Sequence, residues 1–304
     1  MKKLLGIALA SAAAGLCLSA LKKASDEQTV ELSPIKRSSP NKKAILVVSF
    51  GTSYAQTREK TIGAIEEDFR SAFPEYTIRR AFTSKMIIKK LRERDGIEVD
   101  TVAQALEKLE AEGYSTVICQ PTHVMGGFEF DDVKREVENW KSRFDHIACG
   151  WPLLTSSEDY EQVTEALVQE FSDIPSDAAL VLMGHGTEHP ANATYPALDY
   201  RLKARGCKNF FVGTVEGYPD LQTVMQEVAA IHANKVFLAP LMVVAGDHAI
   251  NDLCGEEEDS WKSCFEQAGY QTEPILKGLG EYPAFRRIYL EHCVQCIQSL
   301  ESEQ

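Results

Sequence analysis

The sequence predicts an α/β protein of two similar doubly wound lobes, each a parallel sheet covered by helices, with a cleft between them. Three observations predict it. Beyond residue 42, short apolar runs alternate with helix-period segments, the pattern of parallel strands joined by crossover helices. That alternation runs twice, dividing the chain into an N-terminal lobe over 43–150 and a C-terminal lobe over 151–304. The strand-end sequences of the two passes also keep the same spacing. Ser49-Phe50-Gly51-Thr52 parallels Gly184-His185-Gly186-Thr187, and Gln120-Pro121-x5-Gly127-x-Glu129 parallels Ala239-Pro240-x5-Gly246-x-His248, as duplication of one unit would leave them.

In chain order, the first 24 residues read as a signal peptide. Lys2 and Lys3 precede a charge-free run from Leu4 to Leu21, with small residues at Ala10, Ala12, Ala14, Ser19 and Ala20 for cleavage. A retained signal anchor is the alternative, because the run nears the ~18 residues that span a bilayer. Leu16 before Cys17 speaks against lipidation. The expectation is export to the periplasm, with no stable membrane association after cleavage. Residues 25–42, polar and carrying Pro34 and Pro40, read as a linker.

In the first lobe, Ala44 to Ser49 is the first predicted strand, followed by a helix over 56–72. Tyr76 to Ala81 is a strand, 100–112 a helix stopped at Gly113, and Thr116 to Gln120 a strand. A helix over 130–142 and a short strand over 146–149 close the lobe. In the second, strands are predicted from Ala178 to Met183, Phe210 to Thr214 and Lys235 to Ala239. Helices are predicted over 191–204, 220–231, 257–268 and 283–300. The composition, 44% hydrophobic and 25% charged over 304 residues, supplies a sizeable core.

The net charge of −13 argues against nucleic-acid binding, which needs a basic face. Seven cysteines follow the leader, so at least one stays unpaired within the chain. Cys119 and Cys149 fall in or beside strand-like runs and read as core. Cys293-x-x-Cys296 lies in a helical pattern, for packing or a surface disulfide rather than redox chemistry.

Three groups follow consecutive strands of the second lobe: His185, Glu216 and His248. Parallel strands lie about 4.8 Å apart, so side chains on neighbouring strand ends can converge. Two imidazoles and a carboxylate suit a divalent first-row metal, and positions left open would let it be passed on. The plainer alternatives are hydrogen-bonded structural histidines, and Glu216 as cap of the helix starting near Pro219. Weaker signals remain. Gly51-Thr52-Ser53 offers backbone N–H groups to an anion or places Ser53 as an N-cap, and His189-Pro190 opens a helix. Asp247 is placed to orient His248. Arg79, Arg80, Lys85, Lys89 and Lys90 form a basic cluster, either for ligand carboxylates or as a solvated face. Glu256 to Asp259 reads as an acidic helix start.

Several strings carry a resemblance. They are Ser49-Phe-Gly-Thr-Ser-Tyr54, Arg80-Ala-Phe-Thr-Ser84, Met86-Ile-Ile-x-Lys-Leu91, Met183-Gly-His-Gly186, Pro240-Leu-Met242 and, most specific, Ala245-Gly-Asp-His-Ala-Ile-Asn-Asp252. Together they resemble the anaerobic-type sirohydrochlorin cobaltochelatases, of the class II tetrapyrrole chelatase family, over nearly the whole chain beyond the linker. The resemblance implies a bilobal fold with the tetrapyrrole between the lobes. It implies ATP-independent insertion of Co2+, with Fe2+ or Ni2+ as alternatives, into sirohydrochlorin or a related ring with loss of two pyrrole protons. The family's metal ligands fall on His185, Glu216 and His248, and its proton acceptor on His185. Substrate contacts are expected from Thr52, Ser53, Tyr54 and Glu129. Pro121, Phe128 and the Thr187-Glu188-His189-Pro190 run depart from the usual pattern, as does the leader. The competing expectation is an exported haem- or metal-binding carrier, with His123 or His189 as an axial haem ligand. A homo-oligomer is left open.

Overall fold

The computed structural model describes residues 42–302, so the leader and nearly all of the linker lie outside the described residues. The first sheet comprises β1 (Lys43–Ser49), β2 (Tyr76–Phe82), β3 (Thr116–Pro121) and β4 (His146–Cys149), in the order β2-β1-β3-β4. The second repeats it with β5 (Ala178–Gly184), β6 (Phe210–Thr214), β7 (Lys235–Pro240) and β8 (Gln271–Pro274), in the order β6-β5-β7-β8. All six pairings are parallel. The α/β class and the repetition of one unit are therefore both observed. In this order the chain reverses direction beside β1 and again beside β5, which opens a crevice at the carboxyl ends of the strands.

The helices are α1 (55–72), α2 (85–95), α3 (Val102–Ala111), α4 (Phe128–Trp140), α5 (Ser157–Glu170), α6 (Thr194–Ala204), α7 (Leu221–Ala230), α8 (Trp261–Gln267) and α9 (Pro283–Ser302). Side chains satisfy exposed N–H groups at their starts: Ser84 caps α2, Thr101 caps α3, Ser156 caps α5, Asp220 caps α7 and Ser260 caps α8. Three elements go beyond the sequence expectation. In α2 only Ile88 and Leu91 are buried, too few to show a helical period among its charges. The first turn of α5 is polar, and its capping box closes with Asp159 instead of the usual Glu or Gln. The β8 strand, Gln-Thr-Glu-Pro, is a polar edge paired only to β7. The helix expected from 257 begins at Trp261, because Ser260 takes the cap and Glu256 to Asp259 precede it.

Alternation along the central strands divides the core. Ala44, Leu46 and Val48 of β1 face one cluster, while Ile45 and Val47 face another that also holds Leu180 and Leu182 of β5. The second face of β5, with Ala179, Val181 and Met183, packs under α7 and α8. The two sheets thus share one apolar layer, into which α9 inserts Phe285, Ile288 and Tyr289. From the second half, α9 reaches back to pack on β3, β4 and α1. Its Tyr289 hydroxyl donates to the Thr122 carbonyl at 2.9 Å, and Arg286 pairs with Asp68 at 2.6 Å.

Cys293 and Cys296 of α9 are buried and unbonded, which favours the packing role over a surface disulfide. Nearby, His292 lies with Nδ1 3.1 Å from the Trp151 carbonyl and Nε2 2.8 Å from Asp159. These contacts tie α9 and α5 to the segment joining the halves. Burial alone would push the Asp159 carboxyl up, but hydrogen bonds from His292 and from the Ser156 and Thr155 N–H groups outweigh it and hold the carboxyl below its usual 3.8. A lowered folded-state value stabilises the protein above the ordinary carboxylate range, and the contribution is lost as pH falls through the folded value. Asp159→Ala is expected to cost about 3 kcal/mol at pH 7, as breaking one side of a buried pair does. Thermal melts between neutral and strongly acidic pH check this: the gap to wild type should close as pH drops below the folded Asp159 value.

Candidate active site

Three loops at the carboxyl ends of β5, β6 and β7 build the site. Backbone hydrogen bonds hold them level: Val215 N–H donates to Gly184 O at 3.1 Å, Glu216 N–H to His185 O at 2.7 Å, and Leu241 N–H to Met183 O at 2.7 Å. Gly186 follows His185 with φ +85°, and a Cβ there would stand 2.6 Å from the Gly217 nitrogen, so only glycine lets the two loops meet.

On this frame His185, Glu216 and His248 converge, with one donor atom from each lying within 4.8 Å of the others. The two imidazole rings stand 4.6 Å apart and nearly perpendicular, at 87°. Glu216 Oε2 is 3.9 Å from His185 Nδ1. Metal–ligand bonds of about 2.1 Å bring donors roughly 3–4 Å apart, so small side-chain shifts close the set on an ion.

The hydrogen bonds also set the tautomers. His185 Nδ1 lies 2.8 Å from the Gly186 carbonyl, which only accepts, so Nδ1 carries the proton and Nε2 keeps its lone pair. His248 Nδ1 lies 2.7 Å from Asp252 Oδ2, which likewise turns the Nε2 lone pair outward. The side chains of His185, Glu216 and His248 are 43%, 60% and 35% exposed, so an ion held there exchanges with solvent. Among the described residues, no other group of three His, Cys, Asp or Glu donors meets in this way.

The orienting carboxylate differs from the one expected. Asp247 does not hold His248; it accepts a hydrogen bond from the Tyr54 hydroxyl at 2.9 Å, across from the first half. Asp252, four residues on, performs that task because a helical turn brings it back over the ring. The i, i+4 spacing was the available signal, hidden by the more conspicuous neighbour. Glu216 is free to point at the histidines because Asp220 caps α7.

The other expected residues have different fates. Thr52 and Ser53 are buried, and their carbonyls accept from Arg58 at 3.1 Å and Arg94 at 2.5 Å. Ser53 caps no helix, since the residue before α1 is Tyr54. Hydrogen bonding to Asp247 pushes the Tyr54 hydroxyl up from its ordinary value, with burial adding to the shift. Glu129 is exposed in the first turn of α4. Of the basic cluster, Arg79 pairs with Glu112 and Arg80 with the buried Glu66, while Lys89 lies 4.0 Å from Glu93. His189 has both ring nitrogens engaged, Nδ1 accepting from Ala191 N–H at 3.0 Å and Nε2 3.3 Å from Asp131. That leaves it no lone pair for haem iron. Among the described residues His123 Nδ1 is buried without a partner, and burial pushes this histidine down to about 4.

The first half repeats the strand-end frame. Thr83 N–H donates to Ser49 O at 2.9 Å, Ser84 N–H to Phe50 O at 3.2 Å, and Thr122 N–H to Val48 O at 2.8 Å. Phe50 therefore stands where His185 stands, and Ser84 where Glu216 stands. By the matched spacing, Glu129 corresponds to His248. One backbone carries a metal-type donor set in one half and none in the other.

Residues 43–298 match the family described as Cobalt chelatase (CbiK). The chain is 44% identical over 262 residues to the sirohydrochlorin cobaltochelatase of Salmonella typhimurium, covering 86% of this chain and 99% of that protein. It is 34% identical over 273 residues to the sirohydrochlorin cobaltochelatase CbiKC of Nitratidesulfovibrio vulgaris, covering 89% of this chain and 96% of that one. In fold it is similar to SirB from Bacillus subtilis with Fe3+, at a TM-score of 0.59 and 15% identity, over 86% of this chain and 98% of that chain.

Removing the carboxylate that orients His248 tests the donor set. Asp252→Ala is expected to weaken Co2+ binding about ten-fold or more, as loss of such an orienting partner does. Calorimetric titration of the purified protein with Co2+ measures it.

Proposed function

From the premise that the chain belongs to the cobalt chelatase (CbiK) family, we propose that it inserts Co2+ into sirohydrochlorin or a closely related tetrapyrrole, without ATP. The observation that carries the reading is the convergence of His185, Glu216 and His248 at the strand ends facing the first half.

The reaction exchanges two inner N–H protons of the ring for one divalent cation. Glu216, His185 Nε2 and His248 Nε2 hold the incoming ion on one face of the macrocycle; cobalt is the substrate metal here, with Fe2+ or Ni2+ as competitors for the same donors. Three protein donors leave coordination positions to which the pyrrole nitrogens add as the protein ligands let go. As the ion moves into the ring, the lone pair freed on His185 Nε2 accepts an inner proton. Its exposure then lets it release that proton to solvent and take the second. The proton removed and the ligand released are thus two halves of one exchange at one nitrogen.

Glu129, exposed beside the cleft, is left for contacts to the macrocycle. Thr52 and Ser53 act through their backbone, and Tyr54 by holding the loop that carries His248. We further read the chain as exported, on the strength of Lys2, Lys3 and the apolar run to Leu21. Among the described residues, no helix is long and apolar enough to cross a membrane.

Incubating the protein with sirohydrochlorin and Co2+, then with Fe2+ and Ni2+, and following the absorption change tests the reading. Wild type should metalate the ring, fastest with Co2+. His185→Ala should lose about a hundred-fold or more in rate, the contribution of a positioned base. Equal rates in the variant would overturn the assignment of His185.

A further inference from the structure

We propose that Asn192 is a positioning residue of the metal site, whose side-chain amide spans the loops carrying His185 and Glu216 and fixes the spacing of those two donors. The proposal rests on the reading of the triad as the metal-holding site and names a residue that acts on it from outside the donor set.

Asn192 lies in the short turn Pro190–Ala193 that precedes α6. Its Oδ1 accepts from Thr187 N–H at 3.1 Å, and its Nδ2 donates to the Tyr218 carbonyl at 2.7 Å. Thr187 is two residues past His185, and Tyr218 is two past Glu216. The amide therefore ties the two loops at matching positions beyond their donors. Its partners also fix which way it points. A backbone N–H only donates and a carbonyl only accepts, so oxygen faces Thr187 and nitrogen faces Tyr218. Asparagine supplies that acceptor and that donor from one planar group. Aspartate would set a carboxylate oxygen against the Tyr218 carbonyl, and an aliphatic side chain would satisfy neither loop.

The surrounding backbone holds the amide in place. Asn192 N–H donates to the His189 carbonyl at 2.9 Å, and His189 Nδ1 accepts from Ala191 N–H at 3.0 Å, which pins the start of the turn. Across from it, the Thr214 N–H and hydroxyl donate to the Pro219 carbonyl at 2.7 and 3.1 Å and close the Glu216 loop at its base. Gly217 lies against the amide: a Cβ there would collide with Asn192 Oδ1. The φ of Gly217 is outside the left-handed region, so glycine is needed at this position for the room it leaves. Asn192 fills that room.

His248 stands outside this arrangement, since Asp252 orients it from its own helical turn. The donor set is thus a braced pair, His185 and Glu216, closed by a third ligand held independently. The bite of the pair governs how tightly and in what geometry an ion is held.

The test compares wild type with Asn192→Ala, Gly217→Ala and the double variant. Each is titrated with Co2+ by calorimetry, the visible spectrum of the bound ion is recorded at saturation, and thermal melts check the fold. Asn192→Ala should weaken Co2+ binding about ten-fold, as loss of a supporting partner does, and should alter the visible bands because the coordination geometry has changed. Gly217→Ala should do likewise, since its methyl group pushes the amide off its partners. The double variant should stay close to Asn192→Ala alone, because no amide is left to displace. Unchanged affinity and spectrum in Asn192→Ala would overturn the proposal, whatever the melting temperature does. A double variant whose loss is the product of the two single losses would overturn it as well, since positions 192 and 217 would then act independently. If His185→Ala loses Co2+ and Asn192→Ala keeps it, the metal reading stands and the role of Asn192 falls. Failure of wild type to bind Co2+ removes both.

Discussion

The hydrogen bond from Glu216 N–H to the His185 carbonyl, 2.7 Å long, is the constraint on which the site depends. It extends the β5–β6 ladder past the last strand residues and so fixes two of the three donors before any ion arrives. A parallel sheet makes this available cheaply: its strands end side by side, and their carboxyl ends face one crevice. The requirement it imposes is close backbone approach. Gly186 and Gly217 meet it, since a side chain at 186 would collide with the next loop. Little ordering is then left for metal binding itself, because the loops already stand in place.

The repeat lets one backbone carry two different sets of side chains. Each half uses the same strand order and the same three backbone bonds beyond the strands. In the second half those positions carry imidazole and carboxylate; in the first they carry phenyl, hydroxyl and an exposed carboxylate. Tyr54–Asp247 on one side, with Asp131–His189 on the other, joins the loops that carry His248 and His185 to the opposite half. The shared apolar layer beneath and α9 laid across the first sheet keep the halves from drifting apart.

Much of this was legible in the sequence, for identifiable reasons. Buried parallel strands are continuous apolar runs, and β1, β3, β5, β6 and β7 read as such. The triad was legible because each member lies in the loop after such a run, His185 at once, Glu216 two residues on and His248 eight residues beyond Pro240. What escaped were elements whose stability comes from outside their own pattern. The β8 strand is polar and exists because β7 offers it an unpaired edge; α2 has two buried residues and leans on Ser84 and on the loop after β1. Asp252 escaped because its contact depends on a helical turn in a Gly-Asp-His-Ala segment that signals no helix. The resemblance implied substrate contacts from Thr52 and Ser53. Their side chains turn inward, and two arginines take their carbonyls.

On the proposed reading the triad binds a metal ion without keeping it, and its surroundings fit that compromise. A structural zinc site closes four donors around the ion in a dry pocket. Here three donors stand in partly exposed side chains, and the Nδ1 of each histidine is held by a hydrogen bond to a carbonyl or a carboxylate. Orientation raises affinity by aligning lone pairs, whereas exposure lowers the barrier to letting go. The hydrogen bond on His185 goes to a neutral carbonyl, while that on His248 goes to a carboxylate, which makes His248 the more electron-rich ligand. The weaker donor is therefore the one to release first as the pyrrole nitrogens take over. In the proposed mechanism it is also the residue whose freed nitrogen accepts the proton, so the order of ligand release and the direction of proton transfer would follow from one asymmetry in hydrogen bonding.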